Sequence, residues 1–390
     1  MSQLLESRWS ETKDALLEGL QGNKRSVMAA TLENTRTYLN ESATAGATSA
    51  GNVATLNRVI LPVIRRVMPT VIANELVGVQ PMTGPVGQIH TLRVRYADAF
   101  NSASGTDTTA GDEALSPFKI AEGYSGATSD KAASTAALEG VPGNKLSIQI
   151  LKQTVEAKTR KLSARWTFEA AQDAQAQQGI DIEAEIMAAL AQEITAEIDQ
   201  EVITSLKTLA GSAALTYDQG AVSGTATFVG DEHAALAVQI NRVSNLIAQR
   251  TRRGAGNWAV VSPFALTILQ SATTSAFART TEGTFEAPTN TKMVGTLNNA
   301  MKVYVNTYAA DTAPVLIGYK GASESDAAAF YCPYIPLMSS GVVLDPTSFE
   351  PTVSFMTRYG YVELNNTASS LGNAADYLGN VAIAAGVTFQ

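Results

Sequence analysis

Apolar residues recur at every fourth position from Ile182 to Leu206: Ile182, Ile186, Leu190, Ile194, Ile198, Val202 and Leu206. No Pro or Gly interrupts the stretch between Ile180 and Gly211, Asp181 stands where a helix N-cap is wanted, and Gly211 stands where a C-terminal glycine is favoured. The spacing predicts one helix roughly 45 Å long. A step of four overshoots the helical period by about 40°, so the apolar line winds around the rod and meets different neighbours along its length. Such a rod reads first as a long core helix, and it also suits the spine of a flat, elongated assembly subunit.

The remaining chain has three kinds of pattern. Residues 1–41 read as one or two amphipathic helices, with Leu5, Trp9, Leu16 and Leu20 near one face. Residues 42–55, SATAGATSAGNVAT, offer almost no core-forming side chains and read as a linker. In 56–88 the helical face of Ile60, Val63, Ile64, Val67 and Val71 is cut by Pro62 and Pro69 into short pieces. The period then changes to two at Gln88–Tyr96, at Leu146–Ile150 and at Leu162–Phe168, which predicts a two- or three-stranded tongue around a loop-like insertion at 97–144. A ribbon of that kind cannot bury both faces against its own domain and needs another surface.

Helical and strand patterns alternate over 231–345: a helix from about Asp231 to Arg253, a strand at Trp258–Val261, a short helix capped by Ser262 with Pro263 at its first position, and strands at Met301–Val305 and Val315–Gly318. Residues 350–364 read as a late strand pair, followed by a small, apolar tail that returns to the spine.

Charge changes this picture. The tongue carries Lys145, Lys152, Lys158, Arg160, Lys161 and Arg165 against Glu156, while the helix carries Asp181, Glu183, Glu185, Glu193, Glu197, Asp199 and Glu201 against Lys207. Two readings stay open. Each run is a solvated face, or the tongue of one subunit lies over the spine of its neighbour, with Lys152, Lys158, Arg160, Lys161 and Arg165 meeting Glu193, Glu197 and Glu201 and charge setting register. The chain of 390 residues is only 16% charged, below the roughly 25% of ordinary soluble proteins. A large surface hidden against neighbours accounts for that, because interface cores are depleted in charge. The net charge of −8 argues against a nucleic-acid-binding face, though not against a shell enclosing nucleic acid.

Little chemistry is on offer. One cysteine, Cys332, excludes an internal disulfide, and the two histidines, His90 and His233, have no partner at metal-ligand spacing. The run around Gly318-Tyr319-Lys320-Gly321 lacks the ending of a phosphate loop. The expectation is a protein that is not an enzyme and uses no cofactor or metal. No apolar run is long enough to span a bilayer and the start, MSQLLESRWSETKD, is too charged for a signal peptide, so the chain is expected in a cytoplasm or assembled there.

Five stretches, in order, resemble the major capsid proteins of T-even-type tailed bacteriophages: LPVIRRVMPTVIANELVGVQPMTGPVGQI (61–89), KQTVEAKTRKLSARWTFEAAQDAQAQQGIDIEAEI running into EITAEIDQEVI (152–203), GTLNNAMKVYVNTYA (295–309), GYKGASESDAAAFYCPYIPL (318–337) and TRYGYVELN (357–365). The resemblance covers about two-thirds of the chain. It implies an α+β HK97-like phage capsid fold with a long spine helix and an extended β E-loop. It also implies a segmentation: residues 1–85 as the N-terminal arm, 86–168 as the E-loop with a short insertion at about 97–144, 169–232 and 346–390 as the peripheral domain, and 233–345 as the axial domain. The implied function is a homo-oligomer of hexamers and pentamers forming an icosahedral head around double-stranded DNA, without sequence-specific contacts and without a membrane. Its implied partners are a scaffold, a head-maturation protease, a portal and decoration proteins. The protease cuts after Glu in a Leu/Ile-x-Glu pattern, and Leu39-Asn40-Glu41 places such a cut after Glu41, at the edge of the linker; Glu6, Glu18 and Glu122 follow the same pattern. Alternatives are a pentameric vertex paralogue, a nanocompartment shell protein and a soluble α/β enzyme.

Overall fold

The computed structural model describes residues 9, 13, 17, 22, 25–34, 72–101, 107–112, 114, 123–126, 132–178, 181–222, 229–251, 253–272, 277–279, 292–298, 300–323, 326–345, 347–348, 350–364 and 373–384. The chain folds as two compact units, one made of Met1–Gly87, Val155–Thr204 and Phe330–Val362, the other of Gln88–Thr154, Ser205–Ala329 and Glu363–Gln390. Mixed sheets and helices make it α+β.

The first unit is built on a five-stranded sheet. In it β1 (Gly78–Val79) runs parallel to β11 (Ala329–Ser339), which lies beside β13 (Pro351–Glu363); the short β12 (Val343–Leu344) and β4 (Lys158–Arg165) pair antiparallel with β13. β11 reads AFYCPYIPLMS and is buried almost throughout, as a strand covered on both faces must be. The stretch 350–364 is thus one long strand and not the expected pair. Gly360 does not turn the chain. A Cβ there would stand 2.5 Å from Val155 Cγ2 and 3.1 Å from the Glu156 carbonyl, so glycine is kept for close approach. Helical residues 25–34 bury Val27, Met28, Thr31 and Leu32, and Asn34 Nδ2 fastens them by donating to the carbonyls of Met82 (2.6 Å) and Tyr334 (3.2 Å). Leu17 is buried as well, whereas Leu5, Leu16 and Leu20, and the whole face from Ile60 to Val71, lie outside the described residues. A short helix, α1 (Ala73–Leu76), follows.

The expected rod is α3 (Ile182–Ala210), 29 residues long. Asp181 caps it, its carboxylate accepting from the Glu183 N–H at 3.0 Å, and Gly211 beyond its end has φ +69°. The stripe is half-buried at Ile182 and Ile186 and buried from Leu190 to Leu206. Before it runs α2 (Phe168–Gln178), whose described side chains are nearly all exposed.

The second unit holds a seven-stranded sheet in the order β5-β14-β10-β6-β9-β8-β7, with β5 Leu215–Tyr217, β6 Trp258–Val261, β7 Phe277–Arg279, β8 Lys292–Leu297, β9 Met301–Val305, β10 Val315–Gly318 and β14 Leu378–Ile383. Against it pack α4 (Val229–Thr251) and α5 (Pro263–Ser271) through Leu236, Ile240, Val243, Ile247, Ala265 and Ile268. The Ser262 side chain caps α5 by accepting from Ala265 N–H at 3.1 Å, as its sequence predicts. The sheets do not follow the implied domain boundaries. Residues 329–344 lie in the sheet of β13 and β4, and the tail strand β14 joins β10 and β5 in the other sheet.

The tongue has two strands, β2 (Val86–Tyr96) and β3 (Leu146–Glu156). The third expected strand, β4, leaves it, because β13 offers an eight-residue antiparallel register from Arg165↔Thr352 to Lys158↔Tyr359. The 97–144 stretch is more than a loop. Tyr96, Ala114 and Tyr124 form a small core with Val94 and Phe100, the Tyr96 and Tyr124 rings 4.5 Å apart. No helix among the described residues is long and apolar enough to cross a membrane.

Candidate functional site

β4 alternates, as a strand must. Arg160, Leu162 and Ala164 are half-buried; Thr159, Lys161, Ser163 and Arg165 are exposed. On the inward side Arg160 spans two turns of α3. Its Nη1 donates to Glu197 at 2.7 Å, its Nη2 to Glu201 at 2.5 Å, and its Nε to the Tyr359 hydroxyl at 2.6 Å. The Tyr359 hydroxyl in turn donates to Glu201. One planar guanidinium thus ties β4, β13 and the spine together within a single chain.

The electrostatics follow from the geometry. Burial alone would raise the pKa of Glu201, but hydrogen bonds from Tyr359 and Arg160, with the charges of Arg160 and Lys158, hold it below the ordinary carboxylate value. Burial disfavours charge on Arg160 too, yet Glu201 and Tyr359 keep it firmly protonated. Tyr359 is pushed up, first by burial and then by its bond to Glu201.

The eight candidate residues therefore separate. Arg160, Glu197 and Glu201 meet within the chain. Arg165 reaches Glu350 at 3.5 Å while its side chain stays 75% exposed. Lys152, Lys158, Lys161 and Glu193 are exposed. Glu41 lies outside the described residues. Asp199, counted in sequence with the acidic face, is buried among the apolar stripe and accepts from the Ile72 N–H at 2.8 Å. One member of this clamp escaped the sequence. Tyr359 stands 158 residues from Glu201, and no local spacing announces such a pair.

A second clamp lies in the other unit. Arg253 Nη1 donates to Asp326 at 2.7 Å, the Tyr377 hydroxyl reaches the same oxygen at 3.3 Å, and the Asp326 carbonyl accepts from Gly321 N–H at 2.8 Å. These bonds pin the turn after β10.

The exposed apolar residues are equally placed. Leu146, Ile148 and Ile150 share one face of β3 and are 56%, 67% and 67% exposed. Val342, Val343 and Leu344 are exposed at β12. Contiguous apolar surface of this kind marks contact sites.

Chemistry is sparse. Among the described residues no group of three His, Cys, Asp or Glu could hold a metal. His90 is exposed, His233 is buried with its Nδ1 2.6 Å from Ser271 Oγ, and burial pushes the Cys332 thiol up to about 11.

Comparison with known proteins gives a consistent result. Residues 53–383 match the model of the family described as major capsid protein Gp23. The chain is 30% identical to the major capsid protein of Enterobacteria phage T4, over 85% of this chain and 79% of that protein. It is 28% identical to that of Vibrio phage KVP40, over 84% of this chain and 80% of that protein. Among solved structures it is similar to one titled Mycobacterium phage Bobi (TM-score 0.48, 14% identity, 80% of this chain and 90% of that one). It is also similar to the capsid of Myoviridae phage XM1 (TM-score 0.45, 12% identity, 80% of this chain and 92% of that one).

Proposed function

Since the chain belongs to the Gp23 family of major capsid proteins, and is a structural subunit of a tailed-phage capsid, we propose that it builds that shell by laying the tongue of one subunit on the body of the next. The proposed fold is HK97-like and the proposed capsomers are hexamers and pentamers around double-stranded DNA. Assembly takes place in the host cytoplasm with a scaffold, a maturation protease and a portal. The family is one of shell proteins and not of enzymes.

One observation carries the tongue reading: the stripe of Leu146, Ile148 and Ile150 on a two-stranded ribbon, exposed in the single chain. Two strands with an uncovered apolar face are not stable in water on their own, and covering three such side chains gives on the order of 5 kcal/mol per contact. Repeated around a ring, contacts of that size act together.

Trimming after Glu41 is part of the same proposal. The family match begins at residue 53, within the linker that follows Glu41. Intact mass of the protein from mature particles tests it, and a full-length mass removes it.

The test of the shell reading is sedimentation and negative-stain microscopy of the purified protein beside an Ile148→Asp, Ile150→Asp variant. The wild type forms rings, tubes or closed shells, and the variant stays a folded subunit with unchanged melting. A variant that assembles normally overturns the tongue contact.

A further inference from the structure

Asp199 sits in the middle of the spine helix with 1% of its surface exposed. Its own helix surrounds it with Thr195, Ile198, Val202 and Ile203, all buried. Oδ1 accepts the Ile72 N–H at 2.8 Å. Oδ2 is equally enclosed, and no donor among the described residues reaches it. Among the described residues no cation is paired with it. Arg160, from β4, is held by Glu197, Glu201 and Tyr359. From β11 the wholly buried phenol of Tyr331 feels the charges of Tyr359, Asp199, Glu201 and Cys332 together.

Ile72 leads into α1 and β1, and Ile72, Ala73, Leu76 and Val77 are all buried. Asp199 therefore holds the base of the N-terminal arm through one backbone hydrogen bond. An ionised carboxylate with a single donor, and no counter-charge among the described residues, is costly in such a place. The neutral acid keeps Oδ1 as an acceptor and removes the charge. An unsatisfied hydroxyl costs less than an unsatisfied anion.

We propose that Asp199 is a proton-dependent latch: its protonated form fastens the base of the arm, at Ile72, to the spine helix, and ionisation loosens that attachment. Desolvation supports the geometry, since burial outweighs the Ile72 hydrogen bond and pushes the carboxyl up to about 7. The sign follows from linkage. Between the ordinary Asp value near 4 and about 7, the closed form binds the proton that the opened form has released. The attachment is tightest at acid pH, weakens as pH rises through that window, and is constant above it.

Hydrogen exchange of the full chain, corrected for intrinsic rates, tests this between about pH 5 and pH 8.5. Protection of the amides of residues 72–77 falls about tenfold per pH unit up to near pH 7 and then levels. Core amides of α4, residues 236–247, serve as reference and lack this slope. In Asp199→Asn the slope at 72–77 disappears, because the amide does not titrate. A wild type with no slope at 72–77, or with the same slope in the reference, overturns the latch, and so does a folded Asp199→Asn that follows the wild type. If the variant does not fold, the wild-type comparison alone decides.

Discussion

Arg160 Nη2 stands 2.5 Å from a carboxylate oxygen of Glu201, while its Nη1 grips Glu197 one helical turn away. The contact joins a strand of the five-stranded sheet to the helix through two charge-assisted bonds, with Tyr359 closing the ring. It fixes which turn of the spine faces β4.

Replacing Arg160 with Ala removes three donors and leaves two carboxylates facing a phenol. The side chain is 32% exposed, so solvent screens much of the loss, and the expected cost is about 1–2 kcal/mol. Lysine recovers only part of it, lacking the planar fork. The pH dependence has a definite sign. Glu201 is held below its ordinary value in the fold, so the pairing contributes fully above that value and is lost as pH falls through the depressed one. Urea titrations of the subunit at about pH 7 and about pH 3.5 should show the difference between wild type and variant shrinking in acid.

Gly318 supplies a sharper packing test. An added Cβ would lie 2.1 Å from Cζ2 of Trp258, an indole that is itself 2% exposed and walled in by the seven-stranded sheet. Both strands are paired on both sides, β10 with β14 and β6, and β6 with β10 and β9. Gly318→Ala should therefore cost about 3 kcal/mol, at the upper end for overpacking, and should shift tryptophan fluorescence in the folded state. A variant with wild-type melting and emission would show that the sheet yields there.

Much of this architecture is legible in local sequence, for physical reasons that also mark where legibility stops. The spine helix, β6, β9, β10 and the Ser262 cap depend on period, caps and prolines close in the chain, and each lies where its spacing predicts. The destination of β4 does not. Residues 158–165 alternate in the same way whether they pair with β3 or with β13, and the partner is nearly two hundred residues away. The stretch 350–364 reads as a strand pair, yet it is one strand in which Gly360 answers to the methyl group of Val155. Asp199 carries the same formal charge as its solvated neighbours, and only the burial of its helix face separates it from them. Of the clamp, Arg160, Glu197 and Glu201 were legible as complementary charges. That they meet within one chain was not, because charge complementarity does not specify which copy supplies each side.

Tyr124 ties the tip of the tongue. Its hydroxyl donates to the Lys145 carbonyl at 2.8 Å, and Asp98 Oδ2 accepts from the Lys145 N–H at 2.8 Å. Tyr124→Phe keeps the ring contacts with Tyr96 and Phe100 and leaves that carbonyl with the Ala97 N–H, at 2.9 Å, as its remaining donor. The expected effect is local: about 1 kcal/mol off the opening of this small core, read as faster hydrogen exchange at Tyr96 and Ala97, with the melting of the rest of the chain unchanged. A global loss of stability instead would mean that the tip supports more than itself.

The exposed basic residues separate the two readings of the charge pattern. Lys152 and Lys161 are exposed, whereas Arg160 is already engaged in its own chain. If the free lysines meet the acidic spine of a neighbour, then Lys152→Glu with Lys161→Glu should leave the isolated subunit as stable as the wild type, since exposed charges contribute within about 0.5 kcal/mol. The same variant should slow assembly, and more so at low salt, because like charges then meet across the contact within a Debye length. Arg160→Ala should do the reverse, lowering subunit stability first. Light scattering during assembly at two ionic strengths, beside melting curves of the unassembled subunits, distinguishes them. Assembly of the double-lysine variant at the wild-type rate at low salt would return those lysines to a merely solvated face. The apolar stripe of Leu146, Ile148 and Ile150 would then be left to hold the tongue alone.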